Sequence, residues 1–312
     1  MINVLDSLAP VFLLIAFGAF LVKTKFLNAE MLRGMNDLAY WIGLPALLFH
    51  RIATASFETA QTGPVLTVFF IGTGGCLAAA WAVARLSRIP AASRGTLIQA
   101  GFRGNLAFIG LPVVIFAFSG LPAGEREVLE ATAVLSLGPI LIVYNVLAVW
   151  VLLAGQAVPG RGWLPKLLRQ ISTNPLILAS AAGFLYSFSG WGLVTAVERP
   201  LQVLAQLGLP LALLCIGGSL VLVPVKGSAA AATAAAWIKV GVGPLCGFMA
   251  AWMLGVPRET MLVALIYLAS PTAAASYVLA RQLGGDEAMA AAAVVLSTLF
   301  SLISLSVVVA MV

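Results

Sequence analysis

The chain runs to 312 residues, 62% of them hydrophobic and 9% charged, with a mean hydropathy of +1.07. That balance excludes a soluble globular domain and places the chain in a lipid bilayer. The formal charge of +6 comes from basic residues scattered over short loops, which excludes a nucleic-acid-binding patch.

A helix needs about 20 apolar residues to cross roughly 30 Å of hydrocarbon. Ten such stretches follow one another, near 5–22, 32–51, 64–85, 95–119, 128–154, 173–190, 199–223, 228–254, 259–282 and 287–311. Ala229–Ala236 and Ala288–Leu296 are continuous, helix-favouring runs, whereas a closed barrel needs short alternating strands. The expected fold is an all-α integral membrane protein with ten transmembrane helices.

The first stretch has no Lys or Arg before it and no clean small-residue cleavage site after it, so it reads as a mature helix rather than a secretory signal. The second carries Gly43-Leu44-Pro45 and ends at His50, the only histidine, which reads as a boundary residue beside Arg51. Asp37, near the start of that stretch, suits the amino end of a helix.

The fourth stretch is not expected to run straight through. Its centre reads from Gly104-Asn105 to Gly110-Leu111-Pro112. A proline in a helix interior removes a donor and clashes one turn back, at a cost of about 3 kcal/mol. In the fifth stretch Ser136, Tyr144 and Asn145 are polar residues of interest. Lys239 lies midway along the eighth, between Trp237 and Pro244. The ninth has Ala269-Ser270-Pro271-Thr272-Ala273 at the depth of the fourth's break. Backbone groups freed at the two breaks need partners, and Asn105, Ser270, Thr272 and Ser276 can supply some of them. Cys76, Cys215 and Cys246 fall inside spans without metal-like spacing and read as small packing residues, so no metal site is expected.

Pro10 and Gly18 recur as Pro175 and Gly183, and Gly43-Leu44-Pro45 recurs as Gly208-Leu209-Pro210, all 165 residues further on. The pattern divides the chain into a first five-helix repeat over 1–155, a linker over 156–172 containing Pro159, Gly160, Pro165 and Lys166, and a second repeat over 173–312. A unit with an odd number of crossings ends on the opposite side of the membrane, so the second repeat is expected upside down. Inverted repeats give alternating access a structural basis, because the halves can exchange conformations.

Orientation follows from the loops. One side carries Lys23, Lys25, Arg33, Arg85, Arg88, Arg94, Arg161, Lys166, Arg169, Lys226 and Arg281; the other carries Arg51, Arg126, Arg199 and Arg258. The positive-inside rule makes the richer side cytoplasmic and puts both termini outside, in a multi-pass protein of the cell (inner) membrane. Trp41, Trp81, Trp163, Trp191 and Trp252 fit anchors at the membrane interface.

The strings Arg103-Gly104-Asn105 through Gly110-Leu111-Pro112, Gly43-Leu44-Pro45 and Ser270-Pro271-Thr272 resemble the auxin efflux carrier family. That family includes plant auxin exporters and bacterial permeases for malonate or malate, and the resemblance covers essentially the whole chain. It implies two inverted five-helix repeats whose fourth and ninth helices are broken and cross at prolines, here Pro112 and Pro271. It also implies a scaffold of spans one, two, six and seven, a moving bundle of the other six, and an asparagine, Asn105, that touches substrate. The long central loop of some plant members is missing, which favours the bacterial permease type.

The candidate substrate-binding residues are Asn105, Arg103, Gly110, Pro112, Ser270, Pro271, Thr272, Lys239, Ser136 and Asn145. Arg103 and Lys239 are charges within spans, each costing from about 2.5 kcal/mol upward at a helix centre, and no acid was found at their depth. Two such cations suit a small organic anion, a carboxylate or an auxin-like weak acid. Lys239 has a second reading, bonding carbonyls freed in a broken neighbour. No cofactor is expected. Sodium or proton coupling and uniport all remain open, because the spans lack the carboxylate or histidine that a proton carrier uses. The Gly243 and Gly247 pair suits internal helix packing or a homodimer contact. No catalytic motif of an intramembrane enzyme is present, so the expected function is a secondary transporter, with an anion channel or membrane sensor of the same fold as the alternative.

Overall fold

The structure, a computed structural model, describes residues 4–54, 61–87, 89–154, 163–222 and 229–312. Arg88, Pro159, Gly160, Arg161 and Lys226 lie outside these residues, as do the side chains of Trp163 and Lys166. Among the described residues there is no strand, and each of the ten apolar stretches is occupied by helix.

In chain order the helices are α1 (Val4–Lys23), α2 (Ala29–Leu38), α3 (Leu44–Ala53), α4 (Thr62–Leu86), α5 (Ala91–Phe102), α6 (Leu111–Ala117), α7 (Ala123–Ala154) and α8 (Trp163–Ser172). They continue with α9 (Pro175–Phe188), α10 (Thr195–Leu222), α11 (Ala229–Trp237), α12 (Gly243–Leu254), α13 (Arg258–Ala269), α14 (Ala275–Gln282) and α15 (Glu287–Val309). Five helical runs, Thr62–Leu86, Ala123–Ala154, Thr195–Leu222, Ala229–Leu254 and Glu287–Val309, are long and apolar enough to cross a membrane. The linker is not wholly loop, since α8 forms its second part. Span two begins earlier than its hydropathy suggests: Asn28, not Asp37, caps it by accepting from the amides of Glu30 and Met31. Large apolar side chains such as Phe20, Trp81, Leu185, Met249 and Ile303 face outward, as suits a surface solvated by lipid tails.

Three π-helical turns interrupt these helices: Ala39–Gly43 joins α2 to α3, Leu106–Gly110 precedes α6, and Ile238–Val242 joins α11 to α12. Each ends two residues before a proline, Pro45, Pro112 or Pro244. The cause is local sterics. A proline displaces the carbonyl four residues back and offers no N–H, so the turn before it widens. The amides of Leu44, Leu111 and Gly243 accordingly reach back five residues, to Ala39, Leu106 and Ile238. Ser304 serves the Val240 carbonyl, four residues before Pro244, at 2.5 Å. Pro210 lies inside α10 with no such turn.

The helices pack in two groups. α1, α2, α3, α9 and α10 contact one another, and α4, α5, α7 and α11 to α15 form the other group. Glycine sets the approach in the first group. A Cβ on Gly18 of α1 would fall 2.1 Å from the Leu214 carbonyl oxygen of α10, and one on Gly183 of α9 would fall 3.1 Å from the Phe49 carbonyl oxygen of α3. Gly18 and Gly183, like Phe49 and Leu214, are 165 residues apart, so the two contacts are copies of each other. Gly43 and Gly208 lie on each other, where these copies exchange.

Candidate functional site

The second group is organised around two interrupted helices. α5 ends at Phe102, and the chain is extended at Arg103 before it turns helical again at Leu106. α13 ends at Ala269, and the chain stays extended through Ser270 before α14 begins at Ala275. The two breaks meet in a short antiparallel bridge between Gly104 and Thr272. The Asn105 amide donates to the Pro271 carbonyl at 2.7 Å, and the Ala273 amide donates to the Arg103 carbonyl at 2.8 Å. These two bonds satisfy groups that a broken helix would leave orphaned.

The crossing therefore has a proline on one arm only. Pro271 sits at the bridge, whereas the first arm crosses at Gly104, and Pro112 lies beyond the π-helical turn in the first turn of α6. Pro112 widens a turn; it does not break the chain. The glycines have separate jobs. A Cβ on Gly104 would press on the Lys239 side chain, 2.9 Å from its Cε, and one on Gly110 would fall 2.7 Å from the Tyr267 ring and 2.9 Å from Ser270 Oγ.

Thr272 locks the bridge to its surroundings. Its hydroxyl donates to the Ala100 carbonyl at 2.8 Å, and its amide donates to Ser297 Oγ at 2.9 Å. Ser270 donates back to Ile266 at 2.8 Å within its own helix. Ser136 likewise returns its hydroxyl to Thr132 at 2.7 Å in α7, and no hydrogen bond ties it to the breaks.

Arg103 and Asn145 come together. Arg103 Nη2 donates to Asn145 Oδ1 at 2.9 Å, and Asn145 is oriented in turn by donating from Nδ2 to the Leu141 carbonyl at 2.9 Å. Arg103 Nη1 is buried and has no partner among the described residues. Tyr40 of the first helix group and Tyr144 of α7 lie within electrostatic range of this guanidinium. Asn105 is buried, and its side chain neither caps the turn that follows it nor makes a hydrogen bond among the described residues. Lys239 is fully buried, and its ammonium donates to the Leu268 carbonyl at the carboxyl end of α13. Of its two sequence readings, the structure carries the carbonyl bond.

Sequence reasoning passed over several residues here. Gln99, one turn before Arg103, is fully buried with both polar side-chain atoms unpartnered among the described residues; Ser276 of α14, which the sequence offered as a partner for freed backbone groups, likewise has a buried hydroxyl without a partner there. A lone Gln amid Leu97, Ile98 and Ala100 was the signal available. Glu130 was missed as well. Its carboxylate, in the amino-terminal part of α7, is buried and meets Arg51 Nη1 at 2.8 Å. His50, expected only to mark a boundary, bridges α3 to α10 through Glu198 at 3.5 Å and Gln202 at 3.2 Å. Among the described residues no cluster of His, Cys, Asp and Glu could hold a metal ion.

A family model described as "Membrane transport protein" matches residues 3–154 and 160–309 of the chain. A protein of Rhizobium meliloti (strain 1021) named "Putative malonate transporter" is 23% identical over 311 residues, covering 96% of this chain and 93% of its own.

Proposed function

From a chain that belongs to the membrane transport protein family, that of the auxin efflux carriers, we propose a secondary carrier for a small organic anion, a carboxylate or an auxin-like weak acid. The observation that carries the substrate class is the buried, unpartnered Nη1 of Arg103 beside the crossing. Leaving a charged donor unpaired in a low-dielectric interior is costly, and an anionic oxygen is the group that relieves it. Lys239 adds a second positive charge, while the buried carboxylate of Glu130 is held by Arg51. Asn105, Gln99 and Ser276, on the two interrupted helical segments, carry buried neutral donors and acceptors.

In this reading the ten helical stretches form two inverted five-helix repeats, and the two packing groups are scaffold and moving bundle. The copied contacts of Gly18 and Gly183 support the repeat, as does the reciprocity of the bridge bonds. Alternating access is supported by an asymmetry between the half-helices that leave the crossing. α6 is buried and packs on α1, whereas α14 packs on α5 and α15 and leaves Ala275 and Val278 exposed. One half-helix is packed against the first helix group, and the other packs within its own group. By the positive-inside rule the side that carries Arg281 is the cytoplasm, and both termini are outside.

The test is uptake and counterflow in proteoliposomes with a panel of mono- and dicarboxylates, malonate first because of the relative's name. Saturable uptake with exchange is the expected result. Non-saturating flux without counterflow makes the protein a channel, and flux that ignores substrate charge overturns the anion reading.

A further inference from the structure

We propose that α8 lies along the membrane surface as an amphipathic helix and binds anionic phospholipid headgroups through Arg169 and Lys166, fixing the depth at which α9 enters the bilayer. Between Glu130 and Glu198 the chain has no acidic residue, and its only charges there are Arg161, Lys166 and Arg169. Leu164, Leu167, Leu168 and Ile171 recur at i, i+3, i+4 and i+7, the spacing of one helix face, and Lys166 and Arg169 fall on the opposite side of that register. The chain is helical over Trp163–Ser172. Pro165 is tolerated because it lies in the first turn, where an amide has no intrahelical acceptor. These 10 residues rise about 15 Å, half of what a span needs, so α8 is not a crossing.

The fold leaves Leu168 uncovered. Although α8 packs on α7 and α9, Leu168 is 56% exposed, the same as the outward-facing Phe20 of α1. Arg169 is exposed too, and no acidic side chain pairs with it among the described residues. A short helix with an uncovered apolar residue on one face and only basic charge on the other complements phospholipid, whose acyl chains meet the first and whose anionic headgroups meet the second. Arginine suits the phosphate because its planar guanidinium donates two parallel bonds. The backbone ties this anchor to α9. The Arg169 carbonyl accepts from the Thr173 amide at 2.9 Å, the Thr173 hydroxyl at 2.7 Å and the Ser172 hydroxyl at 3.2 Å. Asn174 then caps α9, accepting from the amides of Leu176 at 3.0 Å and Ile177 at 3.3 Å. With no free loop between the two helices, the resting place of α8 sets where α9 begins.

The experiment uses the full-length protein with its native cysteines replaced by alanine and an environment-sensitive fluorophore on Leu168→Cys. Liposomes are made of phosphatidylcholine with or without phosphatidylglycerol, and iodide is supplied on both sides of the membrane. Nitroxide carried on lipid acyl chains should quench the fluorophore severalfold more than iodide does, and phosphatidylglycerol should widen that difference. Lys166→Gln with Arg169→Gln should remove the effect of phosphatidylglycerol. Stronger quenching by iodide overturns the proposal, as does quenching by neither, which would mean that protein covers the face. Quenching that ignores phosphatidylglycerol overturns the headgroup site. Thermal unfolding of the unlabelled wild type in detergent is the second readout, and it decides alone if the labelled variant does not fold. Added phosphatidylglycerol should raise the midpoint by several degrees where phosphatidylcholine does not, and the double variant should lose the response. No rise, or an equal rise in the double variant, overturns the proposal. Neither readout needs a transported acid, so its outcome is independent of the carrier reading.

Discussion

Gly43 and Gly208 lie backbone against backbone: a Cβ on Gly43 would fall 2.5 Å from the Gly208 Cα, and one on Gly208 would fall 2.8 Å from the Gly43 carbonyl carbon. The repeated Gly-Leu-Pro strings thus serve a helix crossing at which neither side chain has room. Their prolines act differently, since Pro45 follows a π-helical turn and Pro210 does not. Substitution at either glycine must push two backbones apart. Overpacking of this kind costs typically about 1–3 kcal/mol, so Gly208→Ala is expected to lower the thermal midpoint of the purified protein by several degrees. An unchanged midpoint would show that the crossing is loose.

Asn105 does not cap the turn that follows it, and its side-chain amide makes no hydrogen bond among the described residues. Its loss should therefore spare folding and reduce binding. If the amide meets substrate, an unmade buried hydrogen bond costs about 1–3 kcal/mol, which is roughly a five- to a hundredfold rise in the half-saturation constant. Uptake by Asn105→Ala across that concentration range checks it, and wild-type kinetics would remove Asn105 from the site.

Arg103 holds one arm of its guanidinium on Asn145 and leaves Nη1 unpartnered. Lysine keeps the charge but cannot make both contacts at once. Arg103→Lys is expected to reduce transport tenfold or more, and Asn145→Ala to raise the half-saturation constant with a smaller effect on maximal rate. Equal loss for acidic and neutral substrates would argue that Arg103 only supports the fold.

The Arg51 to Glu130 ion pair joins α3 of one packing group to α7 of the other. If the groups move against each other, that pair favours the conformer described here. Glu130→Gln should lower the labelling of a cysteine placed at Ala275 by an impermeant thiol reagent, and the charge swap Arg51→Glu with Glu130→Arg should restore it. Couplings between contacting charges run to about 0.5–3 kcal/mol, enough to shift labelling severalfold. Labelling independent of the pair would make it a static surface contact.

The proposed orientation is checked by a reporter fused after Val312, which should be active only in a form that works outside the cytoplasm. Cytoplasmic activity would overturn both the orientation and the inverted repeat.

Composition and local pattern were enough to identify the solvent, the helical class, the two interrupted spans and the residues that mark them, because hydropathy and proline sterics act within a turn or two of the chain. The glycine repeat could likewise be read directly, since both copies meet the same packing demand. What joins Gly104 to Thr272, Lys239 to Leu268 and Arg103 to Asn145 could not be read that way. Those contacts link segments far apart in the chain, and each depends on how helices rotate when their small residues are pressed together. The same reason explains why Pro112 was expected at the crossing and Gly104 was found there. A proline announces strain nearby, but the place where two chains touch is chosen by which backbone has room.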